Sequence, residues 1–169
     1  RGFYAQNGLL PSNCPTNVLM LQVFLEEAVR VRSFGSYVKG LNERCMFDLL
    51  LCWSHILVYR SIDEKCLEFQ VSKAQSVMKE FVQDEALFPR SELPQEDIDV
   101  INSTLGAAMD TADSKCGKSL SKDLFNGVYF KCLCRMQTKL FVPYVHTKEY
   151  AAALQQSQQD LAMQVRLKE

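Results

Sequence analysis

No stretch of about 18 apolar residues occurs in the 169-residue chain, so nothing in it is long enough to cross a bilayer as a helix. An excess of one charge is missing too: 19 basic residues stand against 20 acidic ones, a net charge of -1. That excludes the electrostatic footprint of a nucleic-acid binder and leaves little attraction to anionic lipid. Cysteine occurs seven times, at 14, 45, 52, 66, 116, 132 and 134, yet no Cys-x-x-Cys pair is present. The count is odd and most of the positions fall inside apolar helical stretches, unlike a short, loop-rich disulfide scaffold. They read as reduced, packed thiols of an intracellular, cytoplasmic protein. No signal peptide is visible at Arg1-Gly2-Phe3, and without an initiator Met the chain reads as a piece of a longer protein. No period-two alternation marks a strand, and no internal repeat appears.

What is present is helical periodicity in a chain that is 47% hydrophobic, suited to one domain over residues 1–169. Residues 1–13 are irregular, with Gly2, Gly8, Pro11, Ser12 and Asn13 as turn formers. Pro15 opens a helix carrying Val18, Leu21, Phe24, Leu25 and Val29 on one face, to about Arg30. Phe34, Tyr37 and Val38 form a shorter helix with Gly40 as its left-handed C-cap. From about Arg44 to Tyr59 the chain is apolar nearly all round, which places that helix centrally. Leu67, Val71, Ala74, Met78 and Phe81 make the next buried stripe. Leu87 to Pro94 is a loop. Pro94-Gln95-Glu96-Asp97 starts a helix with Ile98, Ile101, Leu105 and Ala108 inside. Asp110 to Ser121 reads as a connection, with Ser121 as N-cap of the helix that holds Phe125. Thr147 caps a final helix over 148–169, peripheral to the bundle, that contains Leu154 and Leu161. The expected class is all-α, with about eight or nine helices.

Chemistry-bearing clusters are few. Asp48, Cys52 and His55 lie at i, i+4 and i+7, on one helix face, where a Cys-His nucleophile or a metal site would place them. Only one further histidine exists, His146, and neither zinc-ligand spacing nor an oxyanion hole accompanies them, so a hydrogen-bonded histidine beside a packed cysteine is the simpler reading. Gly117-Lys118-Ser119 imitates the end of a phosphate-binding loop, but the glycine needed five residues earlier is Ala112 and no strand precedes it. Cys132 and Cys134 project to different sides of a helix and do not chelate one ion. Arg1, Arg30, Arg32, Lys39, Arg44 and Arg60 are dispersed, and Gln155 to Gln159 is a polar face. No catalytic residue, cofactor or metal is expected.

Phe34-Gly35-Ser36-Tyr37-Val38 and the stretch from Phe125-Asn126-Gly127 to Phe141-Val142-Pro143-Tyr144-Val145 are the most informative segments. The latter reads as one helix, a tight polar break, and a second short helix carrying Phe141, Tyr144 and Val145. Together they resemble the regulator of G-protein signalling (RGS) homology domain, over about Phe24 to Tyr150. The resemblance implies a helical bundle with a central antiparallel four-helix core. It implies a domain that speeds GTP hydrolysis by G-protein alpha subunits by clamping their switch segments, donating no catalytic group of its own.

The family's contact residues map onto different chemistry here. The Asn at the start of the family's central helix falls on Met46, or on Leu49 in the register that matches Trp53. The loop Asn has Glu92 as its nearest equivalent, in Pro89-Arg90-Ser91-Glu92-Leu93-Pro94. The Asp and the Arg one turn later correspond to Lys139 and Pro143. A thioether cannot orient a catalytic amide, Lys for Asp reverses a charge, and Pro143 lacks both a long donor and a backbone N–H. The resemblance therefore implies a divergent RGS module of a larger protein, which could hold further RGS domains. It would bind an alpha subunit or another signalling or scaffold protein through the face around Met46, Glu92, Lys139 and Pro143, with weak or no GTPase-activating activity. Two alternatives stand beside it: an active GTPase-activating protein for an unusual alpha subunit, and a scaffold domain packing within its parent chain. Any recruitment to membranes is left to partners or other domains.

Overall fold

A computed structural model describes residues 9–112 and 119–168, with the side chains of 111 and 112 left out. Among the described residues all regular structure is helical and no strand occurs. Seven helices are found there, against the expected eight or nine: α1 (Thr16–Phe24), α2 (Ala28–Gly40), α3 (Arg44–Ser61), α4 (Leu67–Val77, continued as a π turn, Met78–Val82), α5 (Gln95–Ala112), α6 (Asn126–Met136, continued through a π turn, Gln137–Phe141, and Val142–Tyr144) and α7 (Lys148–Lys168). Among the described residues no helix is long and apolar enough to cross a membrane.

Several local expectations change. The first helix stops at Phe24 instead of running to Arg30, and α2 starts afresh after an extended Glu27. Ending the helix there lets the consecutive residues Phe24 and Leu25 both bury. Gly40 is the last residue of α2, not its left-handed cap. The positive φ of 54° falls on Asn42, a residue type whose short polar side chain tolerates that region. Ser121 closes a turn by accepting from the Asp123 amide, and the helix begins five residues later, at Asn126. The polar break expected before Phe141 is absent: the helix runs on, widened into a π turn. A proline ring collides with the carbonyl four residues before it, here Lys139, and the wide turn just ahead of Pro143 relieves that crowding. Thr147 does cap α7, its hydroxyl accepting from the Tyr150 amide at 3.2 Å. α5 runs on to Ala112, two residues past Asp110, where the connection is expected to begin, and Gly117-Lys118 lies outside the described residues.

Backbone contacts gather the chain into two compact units. The first draws on residues 9–13 and 48–132, the second on 14–47 and 133–168, and α3 and α6 contribute to both.

In the first unit Leu49, Leu50, Cys52, Trp53, Ile56 and Tyr59 of α3 are buried, whereas Val58 is exposed, so the apolar circumference of this helix is not wholly covered. Buried in the same unit are Ala74, Val77, Met78, Phe81 and Val82 of α4 and the anticipated Ile98, Ile101, Leu105 and Ala108 of α5, two helices in contact with one another. The π turn in α4 adds a residue to one turn, which is why neighbours such as Phe81 and Val82 both face inward. Polar anchors join the parts. The Trp53 indole N–H donates to the Tyr129 hydroxyl at 3.2 Å, and the Tyr59 hydroxyl donates to the Ser121 carbonyl at 2.7 Å. Burial pushes the Tyr59 phenol up to about 12. Arg60, one of the dispersed basic residues, is half-buried. Its guanidinium donates to the Lys122 carbonyl, Asp123 and Asn126, which pins the start of α6 and lowers the Asp123 pKa.

In the second unit α7 lies along α2. Ala153 and Ser157 of α7 are buried, and Ser157 accepts from Arg30 at 3.1 Å. Arg30 also stacks over Phe24 and pairs with Glu27, so it too is a packing residue. The C-terminal helix is thus docked over its first half. Its second half is not: Leu161 is 63% exposed, and the buried residues of α7 are Ala153 and Ser157.

Candidate functional site

The second unit is organised by rings. Tyr144, wholly buried, has ring centroids at 5.8 Å from Phe24, 5.2 Å from Phe34, 5.1 Å from Tyr37, 6.2 Å from Phe141 and 5.5 Å from Tyr150. Its hydroxyl shares a 2.6 Å hydrogen bond with Ser33. Burial raises its pKa, a rise the Ser33 bond partly offsets. Four of the five aromatics singled out from sequence, Phe34, Tyr37, Phe141 and Tyr144, therefore meet in one cluster. The fifth, Phe125, packs edge-on against Tyr59 in the first unit, at 5.1 Å. The sequence marks Phe24 only as a core residue and Tyr150 only as the end of the resemblance; ring contacts across distant helices leave no local signal.

Three of the four predicted contact positions belong to this second unit. Met46 is half-buried in the first turn of α3. Lys139 is exposed in the π turn of α6, and Pro143, also exposed, follows one turn later. The π turn that Pro143 demands thus carries Lys139. Glu92 lies in the first unit, half-buried in the loop ahead of α5. In that loop the Arg90 guanidinium donates to the Phe88 carbonyl at 3.1 Å and the Gln83 carbonyl at 3.1 Å, holding it to the end of α4.

The Asp48, Cys52 and His55 face does not assemble a nucleophile. Cys52 is completely buried, and its pKa is raised well above the usual thiol value by its hydrogen bond to Cys132 and then by burial. His55 turns to Lys73 instead, with Nδ1 3.0 Å from Nζ, and meets the Phe81 ring edge-on at 5.1 Å. Burial, then the Lys73 charge, lowers the His55 pKa, with Glu80 opposing. Folding therefore favours neutral His55, and the stability this confers is lost as pH falls below the unfolded-state value of about 6.5 toward the lower native one. NMR titration of His55 should place its midpoint below about 6.5, and His55→Gln should flatten the acid side of the stability profile.

Among the described residues no three His, Cys, Asp or Glu side chains converge to hold a metal. A concavity of about 590 Å³ in the first unit is lined, among the described residues, by Ser103, Thr104, Ala107, Ala108, Ser119, Leu120 and Ser121, which offer hydroxyls but no acid, base or cation. No protein-family model, curated protein or solved structure matches the chain.

Proposed function

We propose that the chain is a divergent RGS homology module, a protein-binding domain for a G-protein alpha subunit or another signalling protein, with weak or no GTPase-activating activity. The observation that carries the reading is a contrast within the second unit. Four of the five aromatics on which the resemblance rests, Phe34, Tyr37, Phe141 and Tyr144, pack into one ring cluster. Next to them in sequence, the exposed Lys139 and Pro143 offer a cation and a ring where the family offers a carboxylate and a guanidinium. Such a module keeps its scaffold and loses the groups that would hold switch segments in a transition-state-like arrangement.

Binding to a panel of alpha subunits, each with GDP and with GDP plus aluminium fluoride, tests this. The expected result is binding with little preference for the fluoride form, and single-turnover hydrolysis close to the intrinsic rate. Strong preference for the fluoride form together with accelerated hydrolysis would establish an active GTPase-activating protein with a rebuilt interface. Absence of binding in every state would favour contacts within the parent chain. Lys139→Asp, an exposed change that leaves the core intact, is expected to tighten binding to the fluoride form by on the order of tenfold, about the worth of one charge-assisted hydrogen bond.

A further inference from the structure

Two of the free thiols, Cys52 of α3 and Cys132 of α6, are completely buried and belong to the same compact unit. The Cys132 thiol donates to the Leu49 carbonyl at 3.0 Å. A helical carbonyl points along the axis toward the residues three and four ahead, so this oxygen lies beside the turn that carries Cys52. The Cys52 thiol is in turn hydrogen-bonded to Cys132. The residues between them make up most of the first unit, so a bond here would close a long loop.

We propose that Cys52 and Cys132 form a redox-operated staple: an oxidant of the hydroperoxide class converts the pair into an intramolecular disulfide joining α3 to α6, and a dithiol reductant restores it. One cysteine sulfur, as thiolate, attacks a peroxide oxygen. The O–O bond breaks, and hydroxide leaves with that thiol's proton as water. The resulting sulfenic acid is attacked by the second sulfur, so that the S–S bond forms, the S–O bond breaks, and a second water departs. Two thiols and one hydrogen peroxide thus give one disulfide and two waters.

Burial and the hydrogen bond keep little Cys52 as thiolate at neutral pH. Oxidation is therefore slow in the closed unit and quickens when the unit opens, in mild denaturant or at raised pH. Closing so long a loop restricts the unfolded chain, and the melting temperature should rise by roughly 10 °C.

The test treats the reduced 169-residue chain with hydrogen peroxide, with and without mild denaturant, then blocks remaining thiols with N-ethylmaleimide and maps peptides by mass spectrometry. The expected product is a linked pair of peptides containing Cys52 and Cys132, reversed by dithiothreitol and accompanied by the rise in melting temperature. Cys132→Ala should abolish both, and Cys45→Ser, at an exposed position, should preserve both. The peptide map of the unsubstituted chain decides even where Cys132→Ala folds poorly. Recovery of Cys52 and Cys132 as maleimide adducts, as separate oxyacids, or linked to other cysteines would overturn the proposal.

Discussion

Tyr144→Ala is expected to destabilise the protein by about 3–5 kcal/mol, the range for deleting a large buried aromatic side chain. Against a total stability of about 5–15 kcal/mol, that brings the second unit close to unfolding. The size follows from the position of the ring. Tyr144 is wholly buried and touches rings from α1, α2, α6 and α7, so its loss opens a cavity that no single neighbour can fill. Tyr144→Phe separates packing from hydrogen bonding. It keeps every ring contact and forfeits only the 2.6 Å bond to Ser33, for a cost of about 1 kcal/mol. Urea unfolding of the three proteins checks both values. Equal losses for the two variants would mean that the hydroxyl, not the ring, holds the cluster.

The same residue shows what the sequence could reveal. Period and type placed Phe34, Tyr37, Phe141 and Tyr144 on helices with apolar faces, and the stripe Ile98, Ile101, Leu105 and Ala108 was legible in the same way, since buried positions repeat with the helical turn. The expected break before Phe141 failed because Pro143 and the polar residues around Lys139 punctuate a sequence whether the chain ends a helix or only widens a turn. Arg30 and Arg60 were misread for a related reason: a long stem can bury while its charged end finds carbonyls and carboxylates far away in the chain. The candidate contact positions came from a resemblance rather than from periodicity. Exposure at Lys139 and Pro143 fits a surface role, while Met46 and Glu92 are half-buried. Which partner such a surface would meet is a property of the partner's chemistry, and no single-chain pattern encodes it.

Gln70 carries the second large effect, and nothing in the sequence marks it. A glutamine on an amphipathic helix is normally a solvent residue, yet this one is completely buried on α4. Its amide meets the backbone of Leu120 reciprocally: Nε2 donates to the Leu120 carbonyl at 3.1 Å, and Oε1 accepts from the Leu120 amide at 3.2 Å. The side chain thus acts as one residue of a strand pairing would, and it fixes the approach to α6 in a unit that has no sheet among its described residues. Gln70→Leu preserves volume but strands a buried donor and a buried acceptor, which costs on the order of 3 kcal/mol. Gln70→Glu is the sharper probe. The carboxylate still accepts from the amide but turns a charged oxygen toward the Leu120 carbonyl, so its folded-state pKa must lie above the unfolded value of about 4.3. A raised folded pKa means the folded state holds the proton more tightly, so stability should be lowest near neutrality and recover as pH falls through that pKa, when the protonated acid can donate again. Stability of Gln70→Glu measured by denaturant from neutral to mildly acidic pH should therefore rise relative to the unsubstituted protein; a difference that stays constant with pH would mean that the amide is not paired to Leu120 in solution.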